Sequence, residues 1–485
     1  MPVPPIPRPG SPPRRRLTAL LLALLALPGT LVGRPGRAAP AAGLSLEQVL
    51  AEGLAVSPQL QRAERLIARD RAITTLNRRL LLPRLDLIGS ASYTQVGTSF
   101  GLVTGLPTLG DISLTLRQDG YAVLRNSFAN AGLVLDVNLL PLQPLAQVAA
   151  ASARQQGSEA SLRESKRRTR FELISAYRQL QLSQALVPVW RAALSASTAL
   201  SGDVEAFRRR GLAARIDGQR ARALEATDRQ GLADAEAQRA ALQGRLAILL
   251  QRPAGSLVEA ADPIVEQPPW PLPLEATLQR ALQGRPLLEA LRFQQLAQRR
   301  EARGARAALY PSLGLVGGVG ISGDRLAVPV LRQGGRLQGP VNAPLPGLSS
   351  SGSGSGSFYN WGAALLLRQP LYDGGRSAEA ATLAEREADL LVSDERLARQ
   401  QISQEVTTAW QGLEASPAAI AAARQVVQAQ ETALRDARLR YRAQVDPLTE
   451  VLLVQRDLQA ARASLLGALT RQAIDRAVLE RETGG

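Results

Sequence analysis

The chain has 485 residues, a formal net charge of +16, and neither cysteine nor histidine. This composition excludes disulfides, zinc sites, haem ligation, thiol nucleophiles and Ser-His-Asp triads, and it leaves no cysteine for a lipid anchor. The carboxylates are dispersed along helical segments, whereas a polymer-cleaving enzyme would need them paired in a cleft. The sequence therefore predicts that the protein is not an enzyme and has no catalytic residues, cofactor or metal.

The N-terminal region has the three-part pattern of a secretory signal peptide. Three arginines, Arg14 to Arg16, precede the apolar run "LTALLLALLALP", and small residues follow around Ala39 and Ala41. The apolar run is too short to span a bilayer as a helix. We predict a signal peptide over residues 1–42; a buried helix or a membrane anchor is the alternative. Residues 1–43 hold six arginines and no acid, which leaves +10 for the mature chain.

An internal repeat divides the mature sequence. "LEQVLAEGLAVSPQL" begins at Leu46 and "LEATLQRALQGRPLL" begins at Leu274, and a shift of 228 residues also aligns Pro58 with Pro286. Such self-similarity indicates one structural unit used twice. We predict a first repeat over 44–255, a Pro-rich linker over 256–273, a second repeat over 274–481 and a C-terminal tail over 482–485.

Each predicted repeat contains two strands of about ten residues that alternate between apolar and polar positions. These strands are 85–93 and 133–139 in the first repeat, and 313–321 and 359–369 in the second. Their length and alternation are typical of membrane β-strands, although a soluble sheet is an alternative. Long loops are predicted between them, over 97–130 and 322–357, and the second includes a Gly/Ser-rich tract at 349–357.

Long helices account for most of the remaining sequence. They are predicted over 45–82, 142–210, 212–251, 274–310, 371–443 and 447–481. Apolar residues recur every seven positions, which indicates coiled-coil packing. The predicted core positions are Leu173, Leu180, Val187, Ile420, Val427, Leu434, Tyr441, Val451, Leu458 and Leu465. Pro188 and Pro417 are expected to bend the two longest helices.

The strand count predicts self-association. Four strands cannot close a barrel, because about eight is the practical minimum. A barrel would therefore be shared between copies of the chain, and three copies would supply twelve strands. The arginines are interspersed with acids along the helices, so they are interpreted as solvated helix faces and no nucleic-acid partner is expected.

Taken together, these features resemble the TolC-like outer-membrane efflux protein family. The resemblance rests on the two repeat starts, on "LLPRLDLIGSASY", "LYPSLGLVGGVG" and "QPLYDGG", and on the turns "GLAARID" and "YRAQVDPLTE". It implies an α+β membrane protein, with a trimeric twelve-stranded outer-membrane β-barrel of four strands per protomer. A long periplasmic α-helical coiled-coil barrel would continue it, with an internal duplication.

The same resemblance implies a function and partners. The protein would be the outer-membrane exit duct of a tripartite efflux or type I secretion system, passing small molecules or proteins to the exterior. Its partners would be two further copies of itself, a periplasmic adaptor (membrane fusion) protein, an inner-membrane pump and outer-membrane lipid. The alternative is an exported coiled-coil adaptor or structural spacer without a pore.

The resemblance also implies site residues at two helix-to-helix turns. The turns would dock the adaptor through Gly211, Leu212, Gln444 and Val445. A periplasmic gate or pore ring would be formed by Glu450, Asp217, Tyr441 and Asp446. Three copies of Glu450 would form a carboxylate ring that favours cations, and Tyr441 is expected to hydrogen-bond Asp217 on a neighbouring helix. Alternatively, Glu450 only stabilises the start of a solvated helix.

Three positions depart from the family pattern at these turns. Gln444 stands where a glycine is usual, Asp446 stands where a lock-forming arginine can occur, and Leu453 stands where a second acidic ring residue can occur.

Overall fold

The computed structural model describes residues 43–105, 115–253, 255–338 and 343–484, so the predicted signal peptide lies outside the described residues. Residues 43–485 cluster as one compact unit. The helices are α1 (Leu46–Val56), α2 (Pro58–Arg79), α3 (Leu142–Arg209), α4 (Arg215–Leu249), α5 (Leu274–Gly284), α6 (Pro286–Ala307), α7 (Arg376–Arg442) and α8 (Leu448–Thr483). The strands are β1 (Arg84–Gly105), β2 (Thr115–Asn138), β3 (Ser312–Gln338) and β4 (Ala343–Arg368). Within these ranges no helix is long and apolar enough to cross a membrane.

The order of elements is the same on both sides of the Pro-rich segment. Two short helices, two strands, a long helix and a shorter helix occur from α1 to α4 and again from α5 to α8. At 1.5 Å per residue, the 68-residue α3 and the 67-residue α7 are each about 100 Å long. The predicted combination of long helices with a strand region is confirmed.

The four strands form one antiparallel sheet in the order β1-β2-β3-β4. The strands have 22 to 27 residues, whereas about ten were predicted. Most of the predicted loops 97–130 and 322–357 is therefore strand, including the Gly/Ser tract 349–357 in β4. These residues are strand because the adjacent strands pair with their backbone N–H and C=O groups. The sequence does not reveal this, because small side chains show no alternation of apolar and polar residues. Pro329 lies at a β-bulge in β3, where it costs no regular ladder bond.

Two predicted helices are broken by proline. The expected helix 45–82 is divided at Ser57 into α1 and α2, and the expected helix 274–310 is divided at Arg285 into α5 and α6. In each case a proline occupies the first position of the new helix, which it tolerates well, and forces the preceding residue out of the helical conformation.

The two longest helices run through their internal prolines as predicted, and only the last helix ends later than predicted. Pro188 and Pro417 lie inside α3 and α7, which continue through them. The last helix, α8, includes Glu482 and Thr483, which the sequence had assigned to the tail, and both residues are buried.

The predicted heptad core is present. Eight of its ten positions are buried, and Val427 and Leu465 are half-buried. Two of the clusters that result lie at the middle of α3 and near its C-terminal end. One surrounds Leu173 and Tyr177, and the other contains Val204 and Tyr441. Burial of the apolar stripe thus holds the helices together along their length.

A buried polar junction fixes the Pro-rich segment to the first repeat. The carboxylate of Asp262 accepts hydrogen bonds from the Leu46 amide (2.8 Å) and from the hydroxyl of the fully buried Tyr177 (2.8 Å). The Asp262 amide donates back to the Tyr177 hydroxyl (3.1 Å). Residues 44 and 260 form a short parallel bridge beside it. This segment is therefore part of the folded structure.

A second junction is ionic and joins both repeats. The buried Arg285 contacts Glu164 of α3 (2.8 Å) and Glu482 of α8 (2.6 Å). Arg481 contacts Glu482 (2.7 Å) and Glu405 of α7. Burial raises the pKa of Glu482 against the opposing effect of these arginines. The break between α5 and α6 places Arg285 in this cluster.

Replacing Tyr177 with Phe should lower the free energy of unfolding by about 1–3 kcal/mol at neutral pH, because the half-buried Asp262 carboxylate loses the hydroxyl donor of the buried Tyr177. Burial raises the pKa of Tyr177 to about 12. Since the neutral phenol is favoured in the folded state, its contribution is fully present below pH 10 and is lost as the pH rises through about 12. Denaturant unfolding followed by helical circular dichroism at several pH values measures both effects.

The matched control is Tyr372→Phe, because Tyr372 is 84% exposed. It should change stability little at any pH. Equal effects of the two substitutions would contradict the assigned role of Tyr177.

Candidate gate at the helical turns

Two turns connect the long helices to their shorter partners, and both have the same backbone geometry. In the first turn (residues 210–214) Gly211 has φ +76°, and the Leu212 amide donates to the Phe207 carbonyl at 2.9 Å. In the second turn (residues 443–447) Gln444 has φ +62°, and the Val445 amide donates to the Arg440 carbonyl at 2.9 Å. These are Schellman motifs, in which a left-handed residue ends the helix. The predicted equivalence of Gly211 and Gln444 therefore holds for the backbone.

The second turn carries backbone strain that the first does not. Gln444 has a side chain in a left-handed conformation that glycine adopts freely, and this costs roughly 1–2 kcal/mol. Its departure from the family pattern thus has an energetic consequence.

The two acids after the turns have different surroundings. Asp217 caps α4, because its carboxylate accepts the Ala214 amide at 3.3 Å. Glu450 has the equivalent position in α8, but the residue at the N-cap is Pro447, which has no N–H to donate. The Glu450 side chain is exposed and makes no hydrogen bond or ion pair with any described residue. Its carboxylate is available to solvent or to another molecule.

Tyr441 is buried beneath the turns. Its ring packs edge-on against Phe207 of α3, with the centroids 5.8 Å apart. Burial raises the pKa of Tyr441, and the carboxylates of Asp217 and Asp203 raise it further. Its hydroxyl has no hydrogen-bond partner among the described residues. The predicted bond to Asp217 is therefore absent within this chain, since Asp217 caps its own helix.

Asp446, the fourth predicted gate residue, forms an ion pair within its own turn. Its carboxylate lies 3.6 Å from Arg440 at the end of α7. The pair stays close to the backbone bend, so Asp446 stiffens the second turn and does not connect it to another helix.

The contacts that do connect the helices here were not predicted. Arg442 of α7 pairs with Asp203 of α3 at 3.1 Å. Deeper in the bundle, the buried Asp228 of α4 accepts from Gln459 (3.0 Å) and Gln455 (3.5 Å) of α8. The partners are at least 227 residues apart, and each looks like an ordinary surface residue in the sequence. The only available signal was the interruption of the apolar heptads by polar residues.

The predicted docking residues lie in the turns and are exposed. Leu212 is 53% exposed and Val445 is 69% exposed, although the residue at this position of a Schellman motif often packs on its own helix. Ile216, Leu439 and Leu453 are also at least half exposed nearby along the chain. Apolar side chains in a turn that is otherwise charged are typical of a contact surface.

Comparison with known proteins relates the chain to a family and a fold. Residues 277–485 match the family model of outer membrane efflux proteins. The predicted family resemblance is confirmed. The outer membrane, with a periplasmic helical extension, is the location expected of this family. No curated protein sequence matches the chain.

Solved structures of the same fold cover nearly the whole chain. CusC, described as forming a transmembrane channel, is 18% identical with a TM-score of 0.68, over 94% of this chain and 96% of its own. The outer membrane protein VceC of Vibrio cholerae is 19% identical with a TM-score of 0.69, over 91% and 96%. The open state of the MtrE outer membrane channel of Neisseria gonorrhoeae is 20% identical with a TM-score of 0.64, over 91% and 89%. These similarities establish the fold.

Replacing Gln444 with Gly should raise the free energy of unfolding by about 1 kcal/mol, because glycine removes the left-handed strain at little other cost. Chemical denaturation of the purified protein measures the change. The matched control is Gly211→Gln, which places a side chain at φ +76° and should destabilise by a similar amount. If both substitutions destabilise, Gln444 makes a contact that outweighs its strain.

Proposed function

We propose that the protein is the outer-membrane exit duct of a tripartite efflux or type I secretion system and that it acts as a trimer. The observation that carries this proposal is a sheet that exposes an apolar band near the helices and whose strands β2 and β4 lead directly into helices about 100 Å long. A sheet of this kind fits a lipid environment, and helices of this length fit a periplasmic tunnel.

The edges of the sheet support assembly. Strands β1 and β4 each pair on one side only within the chain. Long unpaired edges beside exposed leucines would cause aggregation unless another copy covers them. Head-to-tail pairing of β1 with β4 of the next copy closes a ring, and three copies supply the twelve strands that the sequence predicted.

The turns support a periplasmic partner. The exposed Leu212 and Val445 lie on two bends that are held in shape by Schellman motifs. A rigid turn with an apolar tip suits a complementary groove on an adaptor protein, which in turn would connect the duct to an inner-membrane pump.

Glu450 supports ion selection at the same end. It is exposed and has no protein partner among the described residues, so threefold symmetry would place three uncompensated carboxylates around one axis. Such rings attract cations and disfavour anions. Asp217 is not equivalent in this respect, because its charge is engaged at the start of α4.

Replacing Glu450 with Gln should weaken cation preference in single-channel recordings from planar bilayers, because the ring would lose its charge while keeping its size. The matched control is Glu64→Gln, which removes one exposed carboxylate from α2. Wild type and control should show the same small, cation-preferring steps. Steps unchanged by Glu450→Gln would remove Glu450 from the pore but keep the channel.

Replacing Tyr441 with Phe tests the closure of the duct. The Tyr441 hydroxyl has no partner within the chain, so we propose that it bonds a neighbouring copy in the closed trimer. A lost hydrogen bond of about 0.5–1.5 kcal/mol in each of three copies would raise the open fraction roughly tenfold or more. Helix unfolding should not occur at lower denaturant. An unchanged open fraction would exclude this closing contact.

The spacer alternative is tested by the same recordings. If wild type and Tyr441→Phe both fail to conduct after reconstitution as assembled oligomers, the exit-duct proposal is wrong. A coiled-coil spacer would then be the better account of the helices.

A further inference from the structure

An apolar band covers one face of the sheet at the end nearest the helices. Cross-strand partners share a face, so the register places Leu87, Leu133, Val319 and Trp361 side by side. All four are exposed. Along each strand the band covers about nine residues, which is close to the length of a membrane β-strand. We call this face the outer face.

The strands continue well beyond the apolar band. Strand β2 keeps an unbroken register with β1 from Asp136 to Thr115, so its odd-numbered residues stay on the outer face throughout. After Ala129 these positions become polar, beginning with Ser127 and Arg125. At about 3.3 Å per residue, the eleven residues from Arg125 to Thr115 extend the sheet by roughly 30 Å past the band.

Five exposed arginines occupy the outer face of this extension, and we call them the arginine belt. They are Arg117, Arg125, Arg325, Arg332 and Arg336. Arg325 is placed there by pairing with Ser127. The bulge at Pro329 shifts β3 by one residue, so that Arg332 and Arg336 pair with Tyr121 and Arg117 on the same face. Among the described residues, Asp119 is the one acid on this part of the face, and it pairs with Arg117 at 3.3 Å.

The arginine belt places positive charges close together, so a bound anion would stabilise it. Arg117 and Arg336 are direct cross-strand partners, and Asp119 neutralises one of these two like charges. Arg125 pairs with Ala327, which makes Arg325 its diagonal neighbour at about 7–8 Å. Two guanidinium groups on adjacent strands can therefore bind one anionic group. Gln95 fixes Arg125 by accepting its Nε–H at 3.0 Å.

We propose that the arginine belt binds the acidic headgroups of the outer-leaflet glycolipid through their phosphate or carboxylate groups. The inference rests on the proposed outer-membrane location. The belt begins where the apolar band ends and faces the same way, so its first row lies at the depth of lipid headgroups. Arginine binds both phosphate and carboxylate in a bidentate manner.

Position favours lipid over other anionic partners. A soluble ligand passing through the duct would meet the opposite face of the sheet, which at this level carries Gln118, Ala122 and Asn126. The aromatic residues Tyr93 and Tyr121 lie on the outer face beside the belt and are 64% and 47% exposed. Tyrosine next to arginine at the edge of an apolar band is typical of a membrane interface.

The test compares the assembled wild-type protein with the double variant Arg125→Gln/Arg325→Gln. Each is titrated in detergent with bisphosphorylated lipid A, with lipid A lacking phosphate, and with an acidic, uronate-bearing glycolipid. Wild type should bind the anionic lipids at least tenfold more tightly than the uncharged one, and this preference should fall with added salt. The double variant should lose most of the preference.

The control is Arg62→Gln/Arg65→Gln, which removes two exposed positive charges from α2, away from the sheet. It should bind like wild type. An equal loss in both double variants would mean that binding follows net charge alone, and no preference in wild type would mean that the belt is not a headgroup site; either overturns the proposal. Single-channel conductance of the same samples reports on the duct, so failure of the belt is distinguishable from failure of the proposed function.

Discussion

The unpaired edges of β1 and β4 are the constraint on which the rest of the structure depends. Strand β1 has 22 residues and β4 has 26, and about half of the residues in each direct their backbone N–H and C=O groups toward an unpaired edge. Its outer face exposes large apolar residues such as Leu87 and Trp361. Neither feature is compatible with an isolated chain in water, whereas both are satisfied by lipid on the face and by identical copies at the edges. Assembly is thus the simplest way to complete the fold.

The helices extend a long way from the sheet, and contacts between the two repeats occur along them. The strand pair β2 and β3 and the helix pair α3 and α6 each join the two repeats, so neither repeat can move independently near the sheet. Midway along the helices, Asp262 fixes the Pro-rich segment to α3 through Tyr177, and Arg285 fixes the break between α5 and α6 to α3 through Glu164. Toward the turns, apolar residues of α3, α7 and α8 such as Val204 and Val451 form a buried cluster, and Arg442 and Asp203 form an exposed pair beside it. Exposed pairs contribute little to stability, so the apolar cluster is what holds this end together.

The sequence predicted those features that depend on local chemistry. Heptad positions such as Leu180 and Ile420 are buried because apolar periodicity and burial have the same cause, and Gly211 adopts a left-handed conformation for which glycine is suited. Prediction from the sequence failed where strand pairing or hydrogen bonding depends on residues far away in the chain. The Ser/Gly strand near Ser353 has no hydrophobic alternation, and only the neighbouring β3 makes it a strand. The Tyr441–Asp217 bond is not formed within the chain, where the Asp217 carboxylate accepts the Ala214 amide, and a bond between copies stays a prediction.

The difference between the two turns has a mechanical consequence. The first turn combines a glycine at the left-handed position with a capped helix start, so its backbone and its acid are both satisfied. The second combines a strained Gln444 with a proline cap that leaves Glu450 unpaired. Strain at Gln444 raises the energy of this conformation, and a partner that relieves it would shift the population toward another state. If the proposed duct opens by moving one pair of helices, we expect the pair to be α7 and α8, because the strained residue Gln444 lies in the turn between them.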